Sequence, residues 1–271
     1  MHGIARIGFA ARASHSRLAS LYQQAPLRVL LPRAPAGEPP HAVLVTTSGG
    51  LVGGDRLEVE IDIGPDATAL VTTQAAEKVY RSAGPEARLA VTLKGNARAW
   101  LEWLPQETIL FESARLRRVT TLELDRQARV IAGEILVFGR RAHGERLQTG
   151  SLHDAWQVRI DQRLAWADAL RLEGDIAAQL AAPFGFAGAS AIATLLYVGA
   201  DAASLLAAMR DLLPPPDVDL RAGVTCLPGM LVTRWLSTDA ARLRASFTGA
   251  WTALRHAAAG LPATAPANWS C

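Results

Sequence analysis

The sequence predicts a mainly β protein whose strands stack in layers. The segment EVEIDIG alternates acidic and apolar residues, as a strand with one buried face does. Similar strand–turn–strand units recur, with turns at Gly64, Gly95 and Arg126 spaced 31 residues apart and a later turn at Gln162. Helices are not indicated between these units. A repeated unit that cannot bury its own apolar face indicates stacked antiparallel strand layers, forming a two-sheet or β-helix-like body.

Residues 1–190 are predicted to form this β-rich body. The first forty residues fit two or three strands and end in a proline-rich loop, Pro32–Pro40. Four strand–turn–strand segments follow: EVEIDIGPDATALVTTQ, VTLKGNARAWLEWLPQ, LELDRQARVIAGEILVFG and VRIDQRLAWADALRLEG.

Residues 191–271 are predicted to form a small α+β subdomain that packs on the body. Asp201–Leu213 has an aspartate at the helix N-cap, apolar residues at helical spacing and three prolines behind it. Ser237–Gly260 opens with cap residues and ends at a glycine. Between them, two strands are expected around the turn at Pro228–Gly229. Covering a core is the commoner use of such amphipathic helices.

Composition favours a globular, cytoplasmic protein. Half of the 271 residues are hydrophobic, yet no apolar run reaches the roughly 18 residues of a membrane-spanning helix. The N-terminus is interrupted by arginines and lacks a signal-peptide core. Cys226 and Cys271 are the two cysteines, which excludes a disulfide framework. The net charge of +3 comes from arginines interleaved with acids, so we expect an acidic protein partner rather than nucleic acid or a membrane.

A cluster of four glycines, Gly49, Gly50, Gly53 and Gly54, precedes Asp55 and raises the question of a phosphate-binding loop. Such a loop needs a helix directly behind it, whereas an acidic strand follows here. The glycines therefore indicate a turn, or a place where another segment of backbone approaches closely. This interpretation leaves Asp55 unexplained.

The sequence offers no recognisable catalytic centre. The six histidines include no pair at helical metal-binding spacing, and the two cysteines form no CxxC motif. Carboxylate pairs such as Glu102 with Glu107 occur, but no second group with a catalytic role stands beside them.

Two other classes of protein stay open. Stacked strands with tryptophans and carboxylates suit a carbohydrate-binding or carbohydrate-cleaving protein, with Trp100, Trp103 and Trp166 as its platform. Such a platform needs several aromatic rings on one face, and Trp100 and Trp103 fall on opposite faces of a regular strand. The other class is a purely structural all-β interaction module.

Several blocks, in order along nearly the whole chain, carry a resemblance to a known family. They are SGGLVGGD (Ser48–Asp55), KVYRSAG (Lys78–Gly84), EWLPQETILF (Glu102–Phe111) and GEILVFGRRAHGE (Gly133–Glu145). In this combination and spacing they resemble the urease accessory proteins called UreD or UreH. The resemblance implies a β-rich fold of stacked strands with a small helical part, and a role without catalysis.

The same resemblance implies partners and a cargo. Members of this family bind apo-urease and assemble with UreF and the GTPase UreG, which carries nickel. It also implies an internal water-filled passage along which nickel moves, so no tightly bound cofactor is expected and nickel is only in transit. Sparse histidine and many carboxylates suit such a passage, because dense soft ligands would trap the ion.

Matching the family motifs nominates four metal-contacting carboxylates. Asp55 follows the glycine cluster, Glu134 lies in the GEILVFG strand, Asp168 lies in the next hairpin, and Glu145 is a further candidate. The alternative interpretation of each residue is an ordinary surface or turn carboxylate with no role in metal contact.

The chain also departs from the family pattern. Thr47 and Ser48 stand where many members have two prolines, Glu77 adds a charge to a segment of small residues, and Ala267 replaces a common arginine.

Overall fold

Two β-sheets and a helical layer make up the protein. The computed structural model describes residues 1–13 and 15–269, and Cys271 lies outside the described part. The strands of the N-terminal half are β1 (His2–Arg12), β2 (His15–Gln24), β3 (Leu27–Leu30), β4 (His41–Thr46), β5 (Arg56–Ile63), β6 (Thr68–Thr73), β7 (Glu77–Val79), β8 (Ala87–Gly95), β9 (Trp100–Leu104), β10 (Thr108–Leu110), β11 (Arg115–Leu124) and β12 (Arg129–Phe138). The remaining strands are β13 (Thr149–Ile160), β14 (Arg163–Asp175), β15 (Ala191–Val198), β16 (Leu220–Leu227) and β17 (Met230–Ser237).

Three α-helices and two short 3₁₀ helices complete the described chain. The α-helices are α1 (Ile176–Ala181), α2 (Ala202–Leu212) and α3 (Ala240–Ala259). The 3₁₀ helices are Arg141–His143 and Ala267–Trp269. Of the described helices, none combines the length and the apolar character needed to cross a membrane.

The chain winds between the two sheets like a solenoid. Sheet A has the strand order β14-β13-β11-β8-β5-β1-β2, and sheet B has the order β16-β17-β15-β12-β9-β6-β4-β3, with β10 and β7 paired beside β12. Each strand of sheet A in the repeating region is followed by a turn and then by a strand of sheet B. The mainly β body with stacked layers and C-terminal helices is thus confirmed.

The central strands pair in parallel, which corrects the expectation of antiparallel layers. β1, β5, β8, β11 and β13 are parallel neighbours in sheet A, as are β4, β6, β9 and β12 in sheet B. The reason lies in the turns near Gly64, Gly95 and Arg126, because each carries the chain across to the other sheet instead of back along the same one. Neighbours within a sheet therefore come from successive repeats and run in the same direction. Antiparallel pairs occur toward the sheet ends, for example β1 with β2 and β13 with β14.

The C-terminal helices and hairpin form as the sequence predicts. Asp201 precedes α2, and the side chain of Asp239 caps α3 by accepting from the backbone N–H groups of Ala241 and Arg242. Gly260 ends α3 in the left-handed conformation. β15 continues sheet B by pairing with β12, so the segment after residue 190 shares a sheet with the body. The division at residue 190 stays a prediction.

Two apolar cores hold the three layers together. The first lies between the sheets and receives the inward side of each alternating strand, including Ile61, Leu93 and Trp103. The second lies between sheet B and the helices, and contains Trp251 and Trp269. Because Trp100 and Trp103 are each only 5% exposed, on opposite sides of sheet B, they form no sugar-binding platform.

A buried ion-pair network fastens α3 to sheet B. The carboxylate of Glu102 in β9 accepts from Arg255 Nε at 2.9 Å and from the indole N–H of Trp251 at 2.6 Å. Arg255 also donates to Glu38 and to the carbonyl oxygen of Pro262 at 2.7 Å. Glu102 and Arg255 are 0% exposed, so Arg255 ties the helix, the sheet and the segment after α3 to one another without water.

Candidate functional site

Three charged side chains lie enclosed between the two sheets. Arg118 in β11 and Asp154 in β13 project inward from sheet A, and Glu134 in β12 projects inward from sheet B. Their exposed fractions are 4%, 2% and 7%. Each stands at a position that the strand's alternation would otherwise give to an apolar residue. Charges at such positions are costly unless they are paired.

Arg118 joins the two carboxylates. Its Nε donates to Asp154 Oδ1 at 2.9 Å, while its Nη2 contacts both Asp154 Oδ2 and Glu134 Oε2. Nη1 donates to the hydroxyl of Thr108 at 3.1 Å. The second oxygen of Glu134 accepts from the indole N–H of Trp156 at 2.8 Å. We refer to Arg118, Glu134, Asp154 and Trp156 as the central cluster.

The central cluster favours a bound proton. Burial, followed by the nearby Asp154 carboxylate, raises the pKa of Glu134 to about 8, against the opposing effects of Arg118 and Trp156. With Glu134 protonated the two carboxyl groups and the guanidinium carry no net charge. With Glu134 ionised they carry a net negative charge, which attracts a cation.

Two cavities are lined by residues of the central cluster. The inner cavity, of about 50 Å³, lies between the sheets, and the outer cavity, of about 400 Å³, opens near β14 and β17. Glu134 and Trp156 line both cavities, Arg118 lines the inner one, and Asp154 lines the outer one. Since a water molecule occupies about 30 Å³ of liquid, the inner cavity has room for one or two waters.

The inner cavity has a second carboxylate, Glu77 at the start of β7. The hydroxyl of Thr46 donates to Glu77 Oε2 at 2.6 Å. Burial raises the pKa of Glu77, and the charge of Asp55 adds to that effect. Gln106, in the break between β9 and β10, and Thr73, the last residue of β6, line the same cavity. The lining of the inner cavity therefore includes these polar groups as well as those of the central cluster.

Asp168 marks the mouth of the outer cavity. It lies opposite Trp156 in the β13–β14 pair, at the edge of sheet A. Its carboxylate accepts from Arg234 Nη2 of β17 at 2.5 Å, and both side chains line the outer cavity. Their side chains are 42% and 53% exposed, so this ion pair bridges the sheets at the solvent boundary. The structure thus brings Asp168 and Glu134 to one cavity.

Asp55 occupies a different place, at the base of the glycine loop. One carboxylate oxygen accepts from the α-amino group of Met1 at 2.7 Å, and the other from the backbone N–H of Val52 at 2.8 Å. It is 4% exposed, and in the described part of the chain it lines neither cavity. Its charge contributes to the raised pKa of Glu77, and Glu77 lines the inner cavity.

Glu145 lies apart from the other three predicted carboxylates. It accepts from Arg140 Nη2 at 2.6 Å and from the backbone N–H of Glu112 at 3.2 Å. The Arg140 guanidinium lowers the pKa of Glu145. The structure places this pair in the loop after β12, outside the lining of the inner and outer cavities as described.

The glycine cluster is a site of close approach, as its sequence indicated. A Cβ atom at Gly50 would lie 2.6 Å from the ring of Tyr80 and 2.7 Å from the carbonyl oxygen of Lys78, and its φ of +146° also favours glycine. The hydroxyl of Tyr80 donates to the carbonyl of Gly49 at 3.0 Å. The KVYR segment therefore braces the loop.

Sequence reasoning missed Arg118, Asp154 and Trp156. A usable signal was present, because in RLRRVTTLEL the residue at 118 falls on the same side as Leu116 and Leu122. A charge at an inward position of an alternating strand needs a buried partner, and this rule finds Arg118 and Asp154 together.

The described residues contain no group of three or more His, Cys, Asp or Glu side chains arranged to hold a metal ion.

Fold and site together define a two-sheet β-solenoid protein with a charged interior between two cavities. The family model described as UreD urease accessory protein matches residues 1–270. Urease accessory protein UreD of Magnetococcus marinus is 48% identical over 274 residues, which cover 99% of this chain and 94% of that protein. The proteins of the same name from Methylobacterium sp. strain 4-46 and Xanthobacter autotrophicus are each 43% identical, over 86% and 94% of this chain and 83% and 87% of their own lengths. The chain belongs to the UreD urease accessory protein family.

Proposed function

We propose that this protein is a non-catalytic urease maturation factor that passes nickel through its interior to apo-urease. Family membership supports the role in urease maturation. The observation that carries the passage is that Glu134 and Trp156 line both the inner and the outer cavity. The polar route then runs from Asp168, past Asp154 and Glu134, to Glu77.

Carboxylate oxygens at intervals suit an ion that has to move on. Nickel accepts oxygen ligands and stays partly hydrated among them, while histidine or cysteine clusters would hold it tightly. Entry has to be favourable, yet each site has to be weak enough for release, as in ion channels. Asp168 and Arg234 at the solvent boundary form the entrance or exit of the route, and the central cluster is its narrow point.

Passage of a cation through the narrow point requires that it displace Arg118 from the carboxylate oxygens of the central cluster. In the empty protein its guanidinium balances the charge of Asp154 and contacts the carboxyl group of Glu134. A divalent cation arriving from the outer cavity competes with Arg118 for the same oxygens. Loss of the Glu134 proton strengthens the attraction, so we expect transfer to rise with pH around the raised pKa of Glu134.

Asp55 and Glu145, the other two predicted carboxylates, have smaller roles in this proposal. Asp55 stands behind Glu77 as a fixed negative charge that also orders the glycine loop. Glu145, paired with Arg140, stays a predicted nickel contact in a surface loop.

The proposed setting is a cytoplasmic complex with apo-urease, UreF and the GTPase UreG. In this complex nickel is cargo, and the protein itself retains no cofactor. The complex delivers nickel and so supports assembly of the urease metallocentre.

Co-expression of urease with its accessory proteins, with and without this chain, tests the maturation role. We expect urease activity and nickel per urease to fall at least tenfold without it. Unchanged activity would remove the proposed function.

The passage is tested by Glu134→Ala in the same system. We expect several-fold less nickel in urease, with apo-urease and UreF still co-purifying. Glu123→Ala is the matched control, because Glu123 lies on the exposed outer face of sheet A. Equal nickel loading in both variants would refute the passage, whereas loss of co-purification would indicate a folding role for Glu134.

A further inference from the structure

A row of basic side chains crosses the outer face of sheet A. The inter-strand register places Arg56 beside Arg88, Arg88 beside Arg117, Arg117 beside His153, and His153 beside Arg171. At the other end the register places His2 beside Arg56. We call His2, Arg56, Arg88, Arg117, His153 and Arg171 the basic row. Six neighbouring strands spaced by about 4.8 Å give it a length of about 24 Å.

Carboxylates compensate the basic row only in part. Arg56, Arg88 and Arg171 contact Glu58, Glu86 and Glu173, respectively, and His2 also contacts Glu58. These three arginine side chains remain 60%, 64% and 73% exposed. The pairs therefore leave the guanidinium groups available at the surface.

The middle of the row is the least compensated. Arg117 and His153 contact no carboxylate among the described residues. Arg115, on the same outward side of β11, has a buried Nε without a hydrogen-bond partner. Like charges directly opposite each other on neighbouring strands destabilise a sheet. A basic row of this kind is therefore not explained by the fold.

An apolar row runs beside the basic row, one outward position further along the strands. It contains Ala90, Val119, Ala155 and Ala169, which the register places side by side. Small apolar side chains let another surface approach closely and exclude water. Proteins that bind nucleic acid use basic and polar side chains, and those that bind single strands add aromatic side chains for base stacking. A strip of small apolar side chains is not typical of such surfaces. The combination favours a protein partner.

We infer that this face of sheet A binds a folded protein partner that presents a band of carboxylates beside a small apolar strip. The inference rests on the proposed function, since the candidate partners are the components of that complex. Charge complementarity speeds association and sets orientation, and the apolar strip supplies contact area. The face is separate from the central cluster, because Arg117 points outward where Arg118 points inward.

The experiment reverses the charge at the centre of the row with Arg88→Glu and Arg117→Glu together. The control, Lys94→Glu with Arg159→Glu, makes the same change in net charge on the same face, about 20 Å further along the strands. Purified full-length variants are tested separately for binding to apo-urease, UreF and UreG at 50 and 300 mM NaCl, with duplex DNA as a further probe.

The inference predicts that the row variant loses at least tenfold in affinity for one of the three proteins at 50 mM NaCl, while the control binds within threefold of wild type. Binding of the wild-type protein to that partner should also be weaker at 300 mM than at 50 mM NaCl, and this difference should be smaller for the row variant. If the charge reversal prevents folding, Arg88→Gln with Arg117→Gln should give a smaller loss that still exceeds the threefold margin of the control.

Three results would overturn the inference. The row variant and the control could bind all three proteins as wild type does, both could weaken equally, or only DNA binding could change. Wild-type protein that binds none of the three components would overturn the proposed function as well. If the wild-type protein binds a component and the row variant binds it equally well, the inference about the basic row would be refuted and the proposed function would stand.

Discussion

The indole N–H of Trp156 donates to Glu134 at 2.8 Å, and both side chains line the inner and the outer cavity. This bond joins sheet A to sheet B, as the contact between Arg118 and Glu134 also does. It holds one oxygen of Glu134, while Arg118 contacts the other. In the proposed passage, an ion that crosses between the cavities meets this carboxylate.

Glu134→Gln should flatten the dependence of stability on pH. The folded pKa of about 8 exceeds the ordinary value of 4.5, so the folded protein binds the Glu134 proton more tightly. This contribution is present in full below pH 4.5 and is lost as pH rises toward 8, with a slope of at most about 1.4 kcal/mol per pH unit. Glutamine does not titrate. Urea unfolding at pH 5, 6, 7 and 8 measures the difference.

Glu123→Gln, on the outer face, is the control and should follow the wild-type profile. A Glu134→Gln profile parallel to that of wild type would mean that Glu134 is ionised throughout this pH range.

Arg118→Met should destabilise the protein at pH 7 by about 3–5 kcal/mol, because it leaves the buried carboxylate of Asp154 without its cation. The neighbouring Arg117→Met should cost less than about 0.5 kcal/mol, since Arg117 is exposed. Denaturant unfolding of both variants checks this. Similar losses in the two would contradict the role of Arg118 as the only internal cation of the central cluster.

The strands could be located from the sequence, but their pairing could not. Alternation in EVEIDIG and its counterparts identifies an inward and an outward side, which is a local property. Whether the turn at Gly64 returns within one sheet or crosses to the other depends on packing between layers. That choice decides between antiparallel hairpins and the parallel solenoid that forms.

The candidate site was only partly accessible to sequence reasoning. Glu134 stands out as one charge in an apolar strand, and Asp168 was placed by motif resemblance. Asp154 and Arg118 are 36 residues apart and belong together only because β11 and β13 are register neighbours, a long-range fact. The bond between Asp55 and Val52 is local, yet the sequence does not reveal that the carboxylate turns toward its own loop.

Glu77→Ala should separate stability from nickel transfer. Burial raises the pKa of Glu77, against the hydrogen bonds that its carboxyl receives from the hydroxyl of Thr46 and the backbone of Lys78. Removal of this partly compensated carboxyl should change the melting temperature by less than about 4 °C, corresponding to at most 1 kcal/mol. Nickel per urease should fall several-fold, as measured by elemental analysis after co-expression.

The control for Glu77 is Glu60→Ala, on the outer face of β5. It should leave nickel loading unchanged. Normal loading in Glu77→Ala would exclude Glu77 from the passage.

Arg255→Met should release α3 from sheet B and destabilise the protein by about 3–5 kcal/mol, because Glu102 would remain fully buried without its cation. Arg242→Met on the same helix removes an exposed pair with Asp217 and should cost less than about 1 kcal/mol. Urea unfolding followed by tryptophan fluorescence is suitable, since Trp251 lies in the same network. Equal effects of the two variants would contradict the assigned role of Arg255.

Asp55 allows its loop contact to be separated from its charge. Asp55→Asn keeps an oxygen that can accept from the Val52 N–H but removes the negative charge, whereas Asp55→Ala removes both. The alanine variant should lose about 1–3 kcal/mol of stability and weaken complex assembly, and the asparagine variant should recover most of both. If the charge behind Glu77 also aids nickel transfer, the asparagine variant will assemble normally and still load urease less. Full nickel loading in the asparagine variant would limit Asp55 to ordering the glycine loop.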